Sequence, residues 1–368
     1  MNSLAHGEVV EVLRAFEDNS FDALTCDPPY GLGFMNKKWD YDVPSVETWA
    51  ECLRVLKPGA PLLAFGGSRT YHRMACGIED AGFELRDCLM WLYGTGFPKS
   101  LNLQGDWDGY GTALKPGHEP IALARKPLDG TMSENVARWG VGGLAIDACR
   151  IGTGEDKTPA PRARGTSVPW FTTAGANLGG DDSKGRWPGN VLLDEEAAAL
   201  LDAEVGHLKG GTAVRSRSSG NTCHTDTPRG PLPDLGYGDS GGPSRFFYCT
   251  KVNTKEREAG CEGLPLRSAG EITDREDGSD GLNSPRAGAG RTGGARNNHP
   301  TLKPIALTTW LAKLICPPNP GVILVPFAGA GSEMIGAVKA GWPMVFGIER
   351  EAEYIEIAHA RLKHWCGN

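Results

Sequence analysis

Two short apolar runs, one near each end of the chain, each give way to a tight loop. Phe21-Asp22-Ala23-Leu24-Thr25-Cys26 leads into Asp27-Pro28-Pro29-Tyr30, and Val322-Ile323-Leu324-Val325 leads through Pro326 into Phe327-Ala328-Gly329-Ala330-Gly331. Each reads as a buried strand emptying into a functional turn. Either loop alone is a weak signal. Together, in this order, they direct the rest of the reading.

Elements alternate around both loops. Val9 to Phe16 carries apolar residues at helical spacing, and Asp18-Asn19-Ser20 punctuates it. Thr48 to Val55 reads as a helix closed by Lys57-Pro58-Gly59, and Pro61 to Phe65 as a strand stopped by Gly66-Gly67. Tyr71 to Ala81 is helical, with Gly82 as its stop, and Phe83 to Tyr93 is one or two strands. Near the C-terminus come a helix, Leu302 to Ile315, a helix, Ser332 to Ala340, a strand, Pro343 to Ile348, ending at Glu349, and a last helix, Ala352 to Trp365. Strands and helices alternating at this spacing predict a layered α/β fold.

The character changes after Tyr93. From Gly94 to Asn298 the chain is dense in Gly, Pro, Ser, Thr, Asp and Arg. Three apolar stretches, Pro120 to Ala124, Asn190 to Leu193 and Arg245 to Cys249, read as strands that contact or extend the core sheet. Between them, His207 to Gly242 and Ser268 to Asn298 read as mobile loops, rich in Arg, that order on a ligand.

The bulk numbers fit an enzyme-sized globule. A chain of 368 residues, 40% hydrophobic and 23% charged, holds one large domain with an insertion, or two domains. Its ten cysteines form no CxxC pair and no zinc spacing, so reduced thiols in a cytoplasmic protein are expected. No apolar stretch reaches membrane-spanning length, and Met1-Asn2-Ser3-Leu4-Ala5-His6 lacks the parts of a signal peptide. No membrane partner is expected. The net charge of −7 alone speaks mildly against a polyanionic partner. The distribution is uneven, however: acidic up to about Tyr93, richer in Arg and Lys from about Lys99 to Arg296. Any nucleic-acid footprint belongs to that middle stretch.

A strand, a Gly-rich turn and a helix, followed by a strand ending in an acid, is nucleotide-binding logic. The turn is Phe327 to Gly331, and Glu349 is the acid that accepts from ribose hydroxyls. The spacing is not Gly-x-Gly-x-x-Gly, which disfavours NAD and FAD. Glu333, in the first helical turn, would repel a pyrophosphate but not a sulfonium compound. S-adenosylmethionine is therefore the favoured cofactor. Upstream, the prolines of His299-Pro300-Thr301-Leu302-Lys303-Pro304 fix an extended approach, and Lys303 is placed to reach the cofactor carboxylate.

Asp27-Pro28-Pro29-Tyr30 suits the methylation of an exocyclic amine on a nucleic-acid base. Such an amine is a poor nucleophile, because its lone pair is delocalised into the ring. Acceptors must hold its N–H groups so that the lone pair can point at the methyl. Asp27 supplies a carboxylate, and the rigid Pro28-Pro29 backbone fixes the Pro28 carbonyl. Tyr30 supplies a stacking face, worth about 1–3 kcal/mol. A base inside a duplex must be flipped out to reach this pocket. No metal is needed.

These motifs resemble the amino-methyltransferases of DNA, and their order resembles the β class: catalytic motif first, target recognition in the middle, cofactor motifs last. Leu56-Lys57-Pro58-Gly59, Ala81-Gly82-Phe83-Glu84 and Asn298 to Pro304 match further family segments, and Gly7-Glu8 sits where the family commonly has Gly-Asp. The resemblance implies a Rossmann-like, doubly wound, mostly parallel seven-stranded sheet with one antiparallel strand. It implies a catalytic half over 1–99, an inserted target-recognition region over 100–297 and a cofactor half over 298–368. The implied cofactor set is Glu8, Lys303, Pro304, Phe327, Ala328, Gly329, Gly331, Ser332, Glu349 and Arg350. Lys99 and Ser100 are candidates for a phosphate, as are Arg215 and Arg217 in the central Arg-bearing stretch.

Two positions depart from the family. Val325 stands where an acid is common, and Glu333 where a small hydroxyl residue is common. An altered sulfonium donor stays open on that account. The expected activity is methylation of double-stranded DNA, adenine N6 first and cytosine N4 as the alternative. An RNA or protein-amide methyltransferase and a non-catalytic DNA-binding homologue are the other readings. The resemblance also allows a homodimer.

Overall fold

Ala23–Cys26 and Pro61–Phe65 are buried along their whole length, as continuous apolar strands in the middle of a parallel sheet must be. The computed structural model describes residues 2–33, 38–94, 96, 100–152, 185–209, 240–250, 254–273 and 294–367. In chain order the strands are β1 (Asn2–His6), β2 (Ala23–Cys26), β3 (Pro61–Phe65), β4 (Glu84–Leu92), β5 (His118–Arg125), β6 (Val191–Asp194), β7 (Leu208–Lys209), β8 (Ser240–Gly241), β9 (Tyr248–Thr250), β10 (Val322–Pro326) and β11 (Met344–Glu349). Nine of them form one sheet, ordered β1-β11-β10-β2-β3-β5-β4-β6-β9. β7 and β8 pair separately.

Every neighbouring pair in the large sheet is parallel except the two made by β5, which runs antiparallel to β3 and β4. The single antiparallel strand agrees with the sequence expectation; the number of strands, nine rather than seven, does not. β1 is the strand without an apolar pattern, Asn2-Ser3-Leu4-Ala5-His6. Pairing with β11, not burial, makes it a strand. β6 and β9 extend the opposite edge.

Alternate residues of each central strand enter opposite cores. Leu63, Phe65, Ile323 and Val325 pack with the helices Ile305–Leu314 and Ser332–Lys339. Leu62, Ala64, Leu24 and Leu324 pack with the helices Val46–Val55 and Tyr71–Asp80. The period of two therefore builds a three-layer α/β/α domain.

Two helices of the central segment bury little of themselves, Met132–Trp139 only Asn135 and Glu195–Val205 only Ala198. Met132–Trp139 is fixed by a capping box between Thr131 and Glu134, and Glu195–Val205 by the Asp194 carboxylate on the Ala197 N–H at 2.6 Å. The stretches 210–239 and 274–293, within the expected mobile loops, lie outside the described residues.

β2 and β10 are hydrogen-bonded neighbours. From β2 the chain winds toward β3, and from β10 toward β11, so the strand order reverses between them. In open α/β sheets, ligands bind in the crevice beyond the carboxyl ends at such a switch point. The two loops that stood out in the sequence leave from those two ends.

Candidate active site

At the end of β2, the Asp27 carboxylate is held from two sides. The Tyr30 hydroxyl donates to Oδ1 at 2.8 Å, and the Lys303 ammonium to Oδ2 at 2.7 Å. Glu119, on β5, accepts from the same hydroxyl at 3.0 Å and lies 3.1 Å from the same ammonium. The Lys303 side chain is 3% exposed and that of Asp27 14%. The loop backbone is pinned as well. Asp40 Oδ1 accepts from the N–H groups of Tyr30 and Gly31 at 2.7 and 3.1 Å, and the Thr70 hydroxyl donates to the Tyr30 carbonyl at 2.5 Å.

This network fixes protonation. Burial pulls the Lys303 pKa down, but the carboxylates of Asp27 and Glu119 outweigh it, so the ammonium titrates above its ordinary value. Burial, with the charges of Asp27 and Glu119, pushes the Tyr30 phenol well above its usual range, and it stays a neutral donor. An ionised carboxylate has about four lone-pair sites. Asp27 uses two of them here and keeps acceptor capacity.

The glycine loop leaves β10 under conformational constraint. Phe327 holds a left-handed φ of 64°, uncommon for a residue with a side chain. Gly329 has φ 51°, and a Cβ there would come 2.7 Å from His299 Nε2. From beneath, the buried Arg361 guanidinium donates to the Ala330 carbonyl at 2.5 Å and the Ser332 hydroxyl at 3.1 Å. Glu349 ties the loop to β11: Oε2 accepts from the Gly329 N–H at 2.7 Å and Oε1 from the Glu351 N–H at 2.8 Å. Burial raises its pKa, while these amides pull it back.

Glu333 differs from the other acids. It is 4% exposed, and its Oε1 has no hydrogen-bond partner among the described residues. Burial and then the charge of Asp27 push its pKa up to about 7, while Lys303, its own backbone N–H and Arg361 offset part of this.

Both loops open into one cavity of about 380 Å³, within the range of small-molecule sites. Its lining includes seven carboxyl groups, Glu8, Asp27, Asp40, Glu119, Glu333, Glu349 and Glu351, against the cations Lys303 and Arg350. Such a site repels phosphates and attracts cations. Trp39, His299 and Tyr354 form an aromatic wall, with His299 stacked on Trp39 at 6.3 Å and edge-on to Tyr354 at 4.6 Å. Burial lowers the His299 pKa to about 4, so the ring is neutral at pH 7.

Asp27, Pro28, Pro29, Tyr30, Glu8, Lys303, Phe327, Ala328, Gly329, Ser332, Glu349 and Arg350 all line this cavity. Glu8 and Arg350 form an ion pair of 2.9 Å at its rim. Pro304 is instead the buried N-cap residue of Ile305–Leu314, and Gly331 lets the loop pack on Ala358, where a Cβ would come within 3.3 Å. Lys303 has its ammonium on Asp27 and Glu119 rather than free for a cofactor carboxylate. Ser100 closes a hairpin, its hydroxyl accepting from the Thr112 N–H at 2.9 Å. Lys99, Arg215 and Arg217 lie outside the described residues. Val325 is fully buried in the core and does not line the cavity.

Sequence reasoning passed over Glu119 and Asp40. A signal for Glu119 existed: it is the acid at the head of the apolar run Pro120 to Ala124. In an antiparallel strand, the head lies at the carboxyl ends of its neighbours, where the site is.

A family model described as DNA methylase, of the N6/N4 type, matches residues 21–360. The chain therefore belongs to the N6/N4 DNA methylase family. The type II methyltransferase M.HindIII of Haemophilus influenzae is 31% identical over 113 residues, which cover 26% of this chain and 37% of that protein. The type II methyltransferase M.ScaI of Streptomyces caespitosus is 40% identical over 77 residues, covering 21% of this chain and 25% of that protein. The chain thus matches less than half the length of these curated relatives. Among solved structures, the cytosine-N4-specific PvuII DNA methyltransferase aligns over 98% of this chain and 86% of its own, at 13% identity and a TM-score of 0.45.

Proposed function

We propose that this protein transfers a methyl group from S-adenosylmethionine to the exocyclic amine of a flipped base in double-stranded DNA, with adenine N6 as the first target. The observation that carries the reading is the hydrogen-bonded set Asp27, Tyr30 and Glu119 around the buried Lys303, facing the glycine loop across one cavity. Membership of the N6/N4 DNA methylase family supports it.

The cavity fits this donor. Its excess of carboxyls suits a cationic molecule, Glu349 lies where ribose hydroxyls need an acceptor, and the aromatic wall offers a face to adenine. When bound, the donor supplies a methyl on a positively charged sulfur. The chain's residues do the rest. Asp27 and the Pro28 carbonyl accept the two N–H groups of the target amine and turn its lone pair outward. Lys303 holds Asp27 in place at 2.7 Å and lies over one face of the Tyr30 ring at 5.3 Å, so a stacked base uses the opposite face. After transfer, the surplus amine proton has Asp27 or Glu119 as its nearest bases.

Nucleoside mass spectrometry tests this. Unmodified duplex DNA incubated with S-adenosylmethionine and wild-type protein is expected to gain N6-methyldeoxyadenosine. Asp27→Ala is expected to lower the yield at least about 100-fold, as the loss of a preorganised polar group in a dry site does. The same gain on deoxycytidine would move the target to N4. No modified nucleoside with folded wild type would sink the reading.

A further inference from the structure

We propose that Glu333 receives the α-ammonium of the donor's amino-acid end, so that the cavity selects a donor carrying a free amino group. The inference rests on the S-adenosylmethionine reading above and adds to it a named contact.

An unpartnered polar atom at this depth costs free energy, and native proteins keep few of them. The other cavity-facing acids are engaged. Asp27 holds Tyr30 and Lys303, Glu349 holds two backbone amides, Asp40 holds two more, and Glu8 holds Arg350. Lys303 is taken up by Asp27 and Glu119, and Arg361 by the glycine loop. No ion pair joins either cation to Glu333 among the described residues. Oε1 of Glu333 is an acceptor without a donor, so its ligand must bring an N–H or O–H. A sulfonium has none. An α-ammonium has three, and brings the charge that the acid-rich lining lacks.

Linkage supports the same assignment. The groups facing Glu333 are Cys26 and Asp27 at the end of β2, Lys303 ahead of Ile305–Leu314, and Arg361 on Ala352–Cys366. With its pKa raised to about 7, Glu333 is partly protonated at neutral pH. A cation placed on it lowers that pKa and expels the proton.

Calorimetry with three probes decides the matter. S-adenosylmethionine carries sulfonium and ammonium, S-adenosylhomocysteine a thioether and ammonium, and 5′-methylthioadenosine neither charge. Glu333→Gln is expected to weaken the first two equally, by about 10- to 100-fold, and to leave the third unchanged. Weakening of S-adenosylmethionine alone would assign Glu333 to the sulfonium. Equal weakening of all three, or of none, would make it a structural acid. Either result overturns the proposal. A wild type that binds none of the probes sinks the cofactor reading itself. The wild type also gives a test that needs no variant. In buffers of different ionisation enthalpy at pH 7, binding of S-adenosylhomocysteine is expected to release protons and 5′-methylthioadenosine not to. Equal release by both contradicts the assignment.

Discussion

Asp27 and Glu333 face the same cavity from neighbouring strand ends, yet they are treated in opposite ways. Asp27 is matched on both oxygens by a phenol and an ammonium, with a second carboxylate sharing the same donors. Glu333 is buried more deeply and has an oxygen without a partner. A matched acid is held rigidly, which suits holding the N–H groups of a neutral amine in one orientation. An unmatched acid is tuned to whatever supplies the missing donor. One side of the cavity is finished in the free protein, and the other is finished by its ligand.

The largest effect is expected from undoing the finished side. Lys303→Met keeps most of the stem but leaves Asp27 and Glu119 facing each other without a cation. Breaking a buried pair by removing one partner costs about 3–5 kcal/mol, and urea unfolding measures it. One of the two carboxyls is then expected to take up a proton, and methyl transfer to fall at least about 100-fold. A variant with wild-type turnover would mean that Asp27 works without its ammonium, and the contrast with Glu333 would collapse.

A smaller effect, with a definite sign, comes from pH. The ordinary pKa of a glutamate is 4.5, and Glu333 in the folded protein titrates at about 7. The fold therefore favours the protonated acid. Its contribution to stability is full below about 4.5 and is lost as pH rises to about 7. Relative to Glu333→Gln, the ligand-free wild type is expected to lose melting temperature over that window, on the order of 2–5 °C, and no more above it. Saturation with S-adenosylhomocysteine is expected to remove or reverse the slope. An identical pH profile for wild type and variant would mean that Glu333 titrates normally and is matched by something else in solution.

What was legible in the sequence follows from what is local. The loops at Asp27 and Phe327 could be read because prolines and glycines mark them and apolar strands precede them. Their adjacency follows from a general rule of doubly wound sheets. β1 was hidden because Asn2-Ser3-Leu4-Ala5-His6 carries no apolar alternation and is placed as a strand by its pairing with β11. The partner of Lys303 was hidden for a different reason. Asp27, Glu119 and Lys303 are far apart in sequence and meet only because β5 inserts antiparallel between β3 and β4. No spacing rule encodes that meeting. The departure at Glu333 was visible as a residue, but its missing hydrogen-bond partner exists only in three dimensions.

Glu119→Gln probes that non-local meeting most gently. The amide keeps an oxygen to accept from the Tyr30 hydroxyl and removes only the charge. Lys303 then faces Asp27 one to one, and one carboxylate no longer competes for the phenol proton. If Glu119 serves mainly to place Tyr30 and Lys303, turnover is expected to fall about two- to tenfold, the range of one hydrogen bond, with donor affinity little changed. Glu119→Ala, which leaves the hydroxyl and the ammonium each one acceptor short, is expected to lose more. Single-turnover rates with saturating S-adenosylmethionine separate the two variants. If the amide is as damaging as the alanine, the charge of Glu119 matters beyond positioning. The finished side of the cavity would then need both carboxylates ionised, and proton removal from the methylated amine would be the step to assign to β5.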